Sequence, residues 1–526
     1  MLSRMLGMVR DVCYTRYFGA TALGDAWLIA FRIPNLSRRI FGEGAASASF
    51  IPVYSEMLEK DRKAAATLAN TIATFIFVLL AAMVVLGWLG MWIYSVTTEA
   101  NPETSLIMSL SSIMLPYAAI ICTVAILAGI LNVHNHFAIP AVAPVILNVF
   151  IIAAIVITGS LLHLSPIAQV YATSIAVMMA VSVKIITHLV ALKRLGITIR
   201  PQWDIHSAAF KKIMYLMGPM VLGATATQIN TLADDMIAWI FSGSDAKGAE
   251  MIFFGQAVAY PLWRGCVMQL YIAQRLYQLP LGVLGIALAT AIFPVLSRAA
   301  AKGDHKELID TVIRGLKCSF YLATPCAIGL CLIAVPFITV VFQDNDFTAD
   351  DTAKTSAILV CYALGLAGFF FQQIATKAFY AIQDSKMPAI TAAIAVLTNV
   401  ILNLTLIWFM GAAGLALATA LCSYVQVIIL LYVLKKRYND QFSEGIVRPV
   451  VKVLIASAAM FATGKAVMMC MNHLPSNLII NTARIALTMI VSCGTYYAMS
   501  KILKIEMFDM LFARKRKAAE CKSEAL

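Results

Sequence analysis

Several arginines stand where an apolar helix should have none. The opening stretch holds Arg4, Arg10 and Asp11, and the next apolar run holds Asp25, Arg32, Arg38, Arg39 and Glu43. A charged side chain at the centre of a bilayer helix costs roughly 2.5–3.5 kcal/mol, so three unpaired arginines facing acyl chains would cost about 8–10 kcal/mol. They must therefore face a hydrated cavity, pair with carboxylates or snorkel to an interface. Arg4 and Asp11 are spaced to share one helical face, as are Arg32 and Arg39. For Arg39 alone, marking an interface is an equally good reading. Pro34 removes a backbone donor and should kink the second helix. Later in the chain, Arg275 precedes Pro280 in an otherwise apolar span and is expected to meet the N-terminal arginines across a central cavity. Guanidinium groups stay charged and grip phosphate oxygens through paired hydrogen bonds, so this pattern points to an anionic, phosphorylated ligand.

A second chemistry is suggested by "QINTLADD", which carries Asp234 and Asp235, together with Asn399, Asn403 and Thr419. Intramembrane carboxylate and amide oxygens suit a monovalent cation, and a carboxylate there can instead carry a proton. Asn399 and Asn403 are four residues apart and share a face, so interhelical hydrogen bonding is the plainer alternative. The cysteines are scattered through apolar runs without metal-ligand spacing, and no metal site is expected.

The elements that must position these residues are membrane helices. Of 526 residues, 61% are hydrophobic and 13% charged, about half the charge of an ordinary soluble domain. Apolar runs of about 20 residues recur along the chain, which is the length that crosses a hydrocarbon core. Counting them gives about fourteen spans, an all-α integral membrane protein in two pseudo-repeated bundles around a cationic cavity. The expected divisions are an N-terminal bundle over 1–195, a second bundle over 207–437, two C-terminal helices over 449–505 and a basic tail over 506–526. The net charge of +13 sits in alternate loops, including "EKDRK", "ALKRLGITIR", "KKRY" and "RKRK". The loops between, such as "TTEANPETS" and "QDNDFTADDT", are acidic or neutral. This is a topology signal and not a nucleic-acid footprint; it predicts cytoplasmic basic loops with both termini inside. No cleavable signal peptide is expected at the N-terminus. "GILNVHNHFAIPAVAPVILNVFII" from Gly129 and "KAFYAIQDSKMPAITAAIAVLTNVILNLTLI" from Lys377 are loosely similar, each a helix end, a polar turn, a proline and an asparagine-bearing apolar helix.

"GMVRDVCYTRYFGATALGDAW", then "AFRIPNLSRRIFGEGAASASFIPVYSE", "QRLYQLPLGVLGIALATAIFPVLSRA" and "KAFYAIQDSKMP", resemble in order the motifs of the MurJ (MviN) family. That resemblance implies a fourteen-helix flippase of the multidrug/oligosaccharidyl-lipid/polysaccharide exporter superfamily. The implied substrate is lipid II, the undecaprenyl-pyrophosphate-linked disaccharide-pentapeptide used for peptidoglycan. It further implies the bacterial inner membrane, a monomer among membrane lipids, and cell-wall synthesis and division proteins as candidate partners. By position, the family's substrate-binding charges fall on Arg4, Arg10, Asp11, Asp25, Arg38, Glu43 and Arg275. The family pattern has further apolar residues before "SRMLG", so an upstream start or a different lipid gate is expected. Between Gly243 and Gln269 the resemblance is interrupted by "SDAKGAEMIFFGQAVAYPLWRGCVMQ", and Gln274 stands where many relatives carry an acid.

The expected mechanism is alternating access without bond cleavage, driven by the membrane potential or by coupling to a monovalent cation or proton. The chain has no GxxxxGK[ST] motif, and neither an enzymatic role nor a cofactor is expected. The alternatives are an exporter of another polyprenyl-linked saccharide or of a small molecule, a polyprenyl-pyrophosphate enzyme, and a non-transporting scaffold.

Overall fold

The computed structural model describes residues 2–40, 46–99, 101–253, 255–344, 346–438, 447–475, 477–508 and 510. Glu43 and the basic run Arg514 to Lys517 lie outside the described residues. The chain divides into two compact units, Met1–Met268 with Asp344–Phe347, and Gln269–Gln343 with Thr348–Leu526.

In the first unit the helices are α1 (Leu2–Phe18), α2 (Ala22–Ser37), α3 (Ala46–Lys60), α4 (Arg62–Thr97), α5 (Pro102–Met114), α6 (Tyr117–Val133), α7 (Ala138–Val156), α8 (Pro166–Arg194) and α9 (Ala208–Ile240). Four short strands follow: β1 (Ser242–Gly243), β2 (Glu250–Phe253), β3 (Gln256–Ala259) and β4 (Leu262–Trp263). β1 pairs in parallel with β4, and β2 with β3 as an antiparallel hairpin. Next come α10 (Cys266–Pro280), within which the division between units falls, α11 (Ile286–Lys302), α12 (His305–Phe342), α13 (Ala349–Leu364), α14 (Leu366–Ala381), α15 (Lys386–Met410), α16 (Ala412–Arg437), α17 (Val447–Met471) and α18 (Leu478–Ile502).

Local chemistry sets many of these boundaries. Asp61 caps α4 by accepting from the N–H groups of Lys63 and Ala64, and Asn101 caps α5 with Pro102 in its first turn. Thr348 and Asp351 form a capping box on α13, each satisfying a backbone N–H that the helix cannot. Pro280 ends α10, and a π-turn over Leu281–Gly285 leads into α11. Small residues let helices approach, as expected for packing in lipid: a Cβ on Gly365 would lie 2.6 Å from the Cβ of Ala420 on α16.

Among the described residues, eleven helical segments are long and apolar enough to cross a membrane. The expected count of fourteen also includes α1, the α2–α3 stretch and α9, which are not among these eleven. Large apolar side chains stand exposed along the spans, among them Leu86, Trp92, Leu397 and Ile490. Contiguous surfaces of this kind belong against lipid. Several such spans in one chain make it a multi-pass membrane protein.

The similar segments share backbone geometry. Asn135 and Gln383 hold left-handed φ values of 59° and 61°. His136 N–H donates to the Leu131 carbonyl at 2.8 Å, and Asp384 N–H to the Phe379 carbonyl at 3.0 Å, closing the same six-residue helix cap in each unit. Pro140 and Pro388 follow at equal spacing. α9, expected to open the second bundle, instead packs on α2, α3 and α4 of the first unit, and α17 and α18 pack on α12. Arg32 and Arg39 hold α9 there through Asp235 and Gln228.

Candidate functional site

On α1, Arg10 donates from Nε and Nη2 to Asp11 Oδ1 at 3.0 and 2.7 Å, and from Nη1 to Asn148 Oδ1 on α7 at 3.0 Å. Asn148 in turn donates to the Ser3 carbonyl at 3.2 Å, and the guanidinium lies 5.4 Å from the Tyr14 ring centroid. Ionic, amide and aromatic partners thus hold one arginine orientation on an apolar helix, lowering the cost of placing that charge there. Asp11 takes Arg10 and not Arg4. Arg4 is exposed and makes no ion pair among the described residues.

Along α2 the charges turn toward α9. Arg32 forms an ion pair with Asp235, which is 1% exposed. Just past the end of α2, Arg39 Nη1 donates to Gln228 Oε1 at 3.3 Å, and Arg38 Nε donates to Asn35 Oδ1 at 2.9 Å. The Arg32 and Arg39 bonds draw α9 into the first unit. Asp235 is therefore occupied by a guanidinium, which supplies the positive charge a bound cation would have brought. Asp234 is equally buried.

Asp25 is fully buried, and its two oxygens accept from the backbone N–H groups of Gly265 at 2.7 Å and Met268 at 2.9 Å. It therefore anchors the start of α10, where the first-turn N–H groups lack helical partners. That is a positioning role. The backbone is equally constrained there: Gly265 has φ +98°, and a Cβ would fall on the Ala20 carbonyl. Beside it, Arg264 pairs with Glu103 at 2.9 Å, donates to the Trp239 carbonyl at 2.6 Å and to Ser242, and stacks on the Trp239 ring 3.2 Å from its centroid. Arg264 thereby ties the ends of α5 and α9 to the strand segment. At the opposite end of α4, Lys212 and Lys60 both pair with Glu56, so the basic turn and the acidic loop occupy opposite ends of the first unit.

In the second unit, Arg275 Nη2 donates to the Tyr271 hydroxyl at 3.0 Å, with its guanidinium 4.8 Å from that ring centroid. Gln274 donates to the Tyr362 hydroxyl at 3.1 Å. Asn399 donates to Thr419 Oγ1 at 3.1 Å and Asn403 to Asn399 Oδ1 at 2.9 Å. All three lie in the second unit, whereas Asp234 and Asp235 lie in the first. The asparagine–threonine chain joins α15 to α16, the plainer of the two sequence alternatives. Among the described residues no group of three or more His, Cys, Asp or Glu side chains has metal-holding geometry.

Asn148 and the Arg264–Glu103 pair are not among the residues assigned from sequence. Asn148 carried a signal, a lone amide in the apolar run "VILNVF". Arg264 lies in the segment that interrupts the family resemblance, where no motif assigned it a role.

The family model described as "Lipid II flippase MurJ" matches residues 14–483. A relative named "Probable lipid II flippase MurJ" from Buchnera aphidicola is 30% identical over 97% of both chains. "Lipid II flippase MurJ" from Burkholderia cenocepacia is 30% identical over 87% of this chain and 86% of its own. Among solved structures, "Lipid II flippase MurJ, inward closed conformation" superposes with a TM-score of 0.75 at 23% identity, covering 95% of this chain and 96% of that one. An inward-facing multidrug transporter of the MATE family superposes at 0.65 and 16% identity, covering 83% of this chain and 95% of its own. The motifs, the two helical units and the full-length match converge on one assignment: the chain belongs to the lipid II flippase MurJ family.

Proposed function

We propose that this protein moves lipid II from the cytoplasmic to the outer leaflet of the bacterial inner membrane by alternating access. The observation that carries the reading is the oriented Arg10 on α1, held by Asp11 and Asn148 within a chain of this family. A guanidinium fixed in advance binds a pyrophosphate at lower entropic cost than a mobile one. Arg4, Arg38 and Arg275 are assigned the same anion-binding chemistry. Asp11 orients Arg10, Asp25 positions the start of α10, and Glu43 is kept as a charge partner from the family motif.

No bond is made or broken, so the protein is a transporter and not an enzyme. Energy comes from the membrane potential, worth about 2.3 kcal/mol per charge per 100 mV, or from a proton or monovalent cation, with Asp234 the carboxylate assigned to carry it. Both termini lie in the cytoplasm. The chain works as a monomer among membrane lipids, with cell-wall synthesis and division proteins as its partners.

The test is complementation of flippase-depleted bacteria with Arg10→Ala, Arg38→Ala and Arg275→Ala, alongside a probe of externally exposed lipid II. Loss of both growth and exposure in correctly inserted variants is expected; normal growth and exposure in all three would refute the assigned roles. The second reading, an exporter of another substrate, draws on the likeness to multidrug transporters; it requires the wild-type chain to leave lipid II exposure unchanged.

A further inference from the structure

The segment between β1 and β4 is a built platform with one unexplained surface. Its root is rigid: β1 pairs with β4, Arg264 locks onto Glu103, Trp239 and Ser242, and Tyr260 N–H donates to the Ala249 carbonyl at 2.9 Å. Lys247 lies 5.9 Å from the Trp239 ring centroid and 5.8 Å from that of Tyr260. From this root projects the β2–β3 hairpin, with Met251 opposite Val258 and Ile252 opposite Ala257.

Charge is segregated along the segment. Asp245, Lys247 and Glu250 lie on the stem, whereas Met251 to Trp263 contain no charged residue. Yet Ile252 is 83% and Trp263 48% exposed. A two-stranded hairpin alone is marginal in water, and an exposed uncharged face makes it more so. The cover must be apolar. A two-stranded sheet with open edges also cannot enter hydrocarbon, where unpaired backbone groups would find no partner. The boundary layer between acyl chains and water satisfies both demands.

The root adjoins a helical segment long and apolar enough to cross a membrane. Trp263 lies just before the membrane span Cys266–Lys302, Ile240 at the end of α9 is exposed, and Trp239, Tyr260 and Trp263 gather at the root as aromatic residues do at a membrane boundary. Ile240, Ile252 and Trp263 are thus exposed apolar side chains on one short stretch of chain. We infer that the Glu250–Ala259 hairpin docks onto the bilayer interface, placing Ile252 among the lipid headgroups and upper acyl chains and fixing the end of α9 relative to the membrane plane. This inference stands apart from the substrate assignment.

The test uses the full chain in phosphatidylethanolamine/phosphatidylglycerol nanodiscs with the photoreactive substitution Ile252→benzoylphenylalanine. Phospholipid adducts at that position, found by mass spectrometry, are the expected result. An adduct only to protein, or none with the probe intact, overturns the inference. Should that variant fail to accumulate, a nitroxide on Ile252→Cys, with Cys470, Cys493 and Cys521 replaced by serine, gives an independent reading. Faster collision with oxygen than with a water-soluble nickel chelate is expected, and the reverse order overturns it.

Discussion

Asp25 and Arg264 show how a buried charge can be structural in a protein several of whose arginines are assigned to a ligand. Asp25→Ala removes the acceptor for the Gly265 and Met268 N–H groups and should lower stability by about 1–3 kcal/mol, read as an earlier unfolding midpoint in detergent. Arg264→Ala leaves Glu103 largely buried without its partner and should cost about 3–5 kcal/mol. The double variant Arg264→Met with Glu103→Leu should unfold closer to wild type than either single change, and equal additive losses would contradict the pairing. Residue identity made the charges conspicuous in the sequence, but not their partners. The Arg10–Asp11 contact lies between chain neighbours and was within reach, although helical spacing favoured Arg4. The Arg32–Asp235 and Asp25–Gly265 contacts join residues more than two hundred positions apart, and no local pattern encodes such a meeting.

The two similar turns are the clearest element-level feature. Each places a residue other than glycine in the left-handed region, which costs about 1–2 kcal/mol for an L-residue and less for asparagine. Gln383→Gly should therefore raise stability by roughly 0.5–1 kcal/mol, and Asn135→Gly by less, both measured by thermal unfolding. The second turn also carries a pH signature. Partial burial pushes the Asp384 carboxyl up, but the N–H groups of Met387 and Lys386 and the Arg437 guanidinium more than reverse this, leaving it below the usual carboxylate range. A carboxyl depressed on folding stabilises fully above the unfolded value of about 3.9 and loses that contribution as pH falls through its lower folded value. The stability gap between wild type and Asp384→Asn should accordingly narrow in acid and be constant at neutral pH. Proline and polar-turn spacing made this repeat legible in the sequence. The placement of α9 was not, because its hydropathy gives no sign of which bundle Gln228 and Asp235 will bond to.

At the scale of the whole molecule, membrane residence was legible from composition alone, since low charge and recurrent apolar runs leave few alternatives. The exact number of spans was less so: among the described residues α1 and α2 are shorter than the eleven long apolar segments, and hydropathy alone does not say whether such short, charge-bearing helices cross. The central claim is that the arginines assigned to the ligand serve movement of a pyrophosphate-linked lipid across the bilayer. Its most direct test is purified protein reconstituted in liposomes holding fluorescent lipid II, with an impermeant quencher outside and a membrane potential imposed. The account predicts that wild type transfers the lipid between leaflets faster than protein-free vesicles, and that Arg10→Ala falls to their rate while remaining folded. Transfer no faster than in protein-free vesicles for wild type, or undiminished in Arg10→Ala, would contradict it.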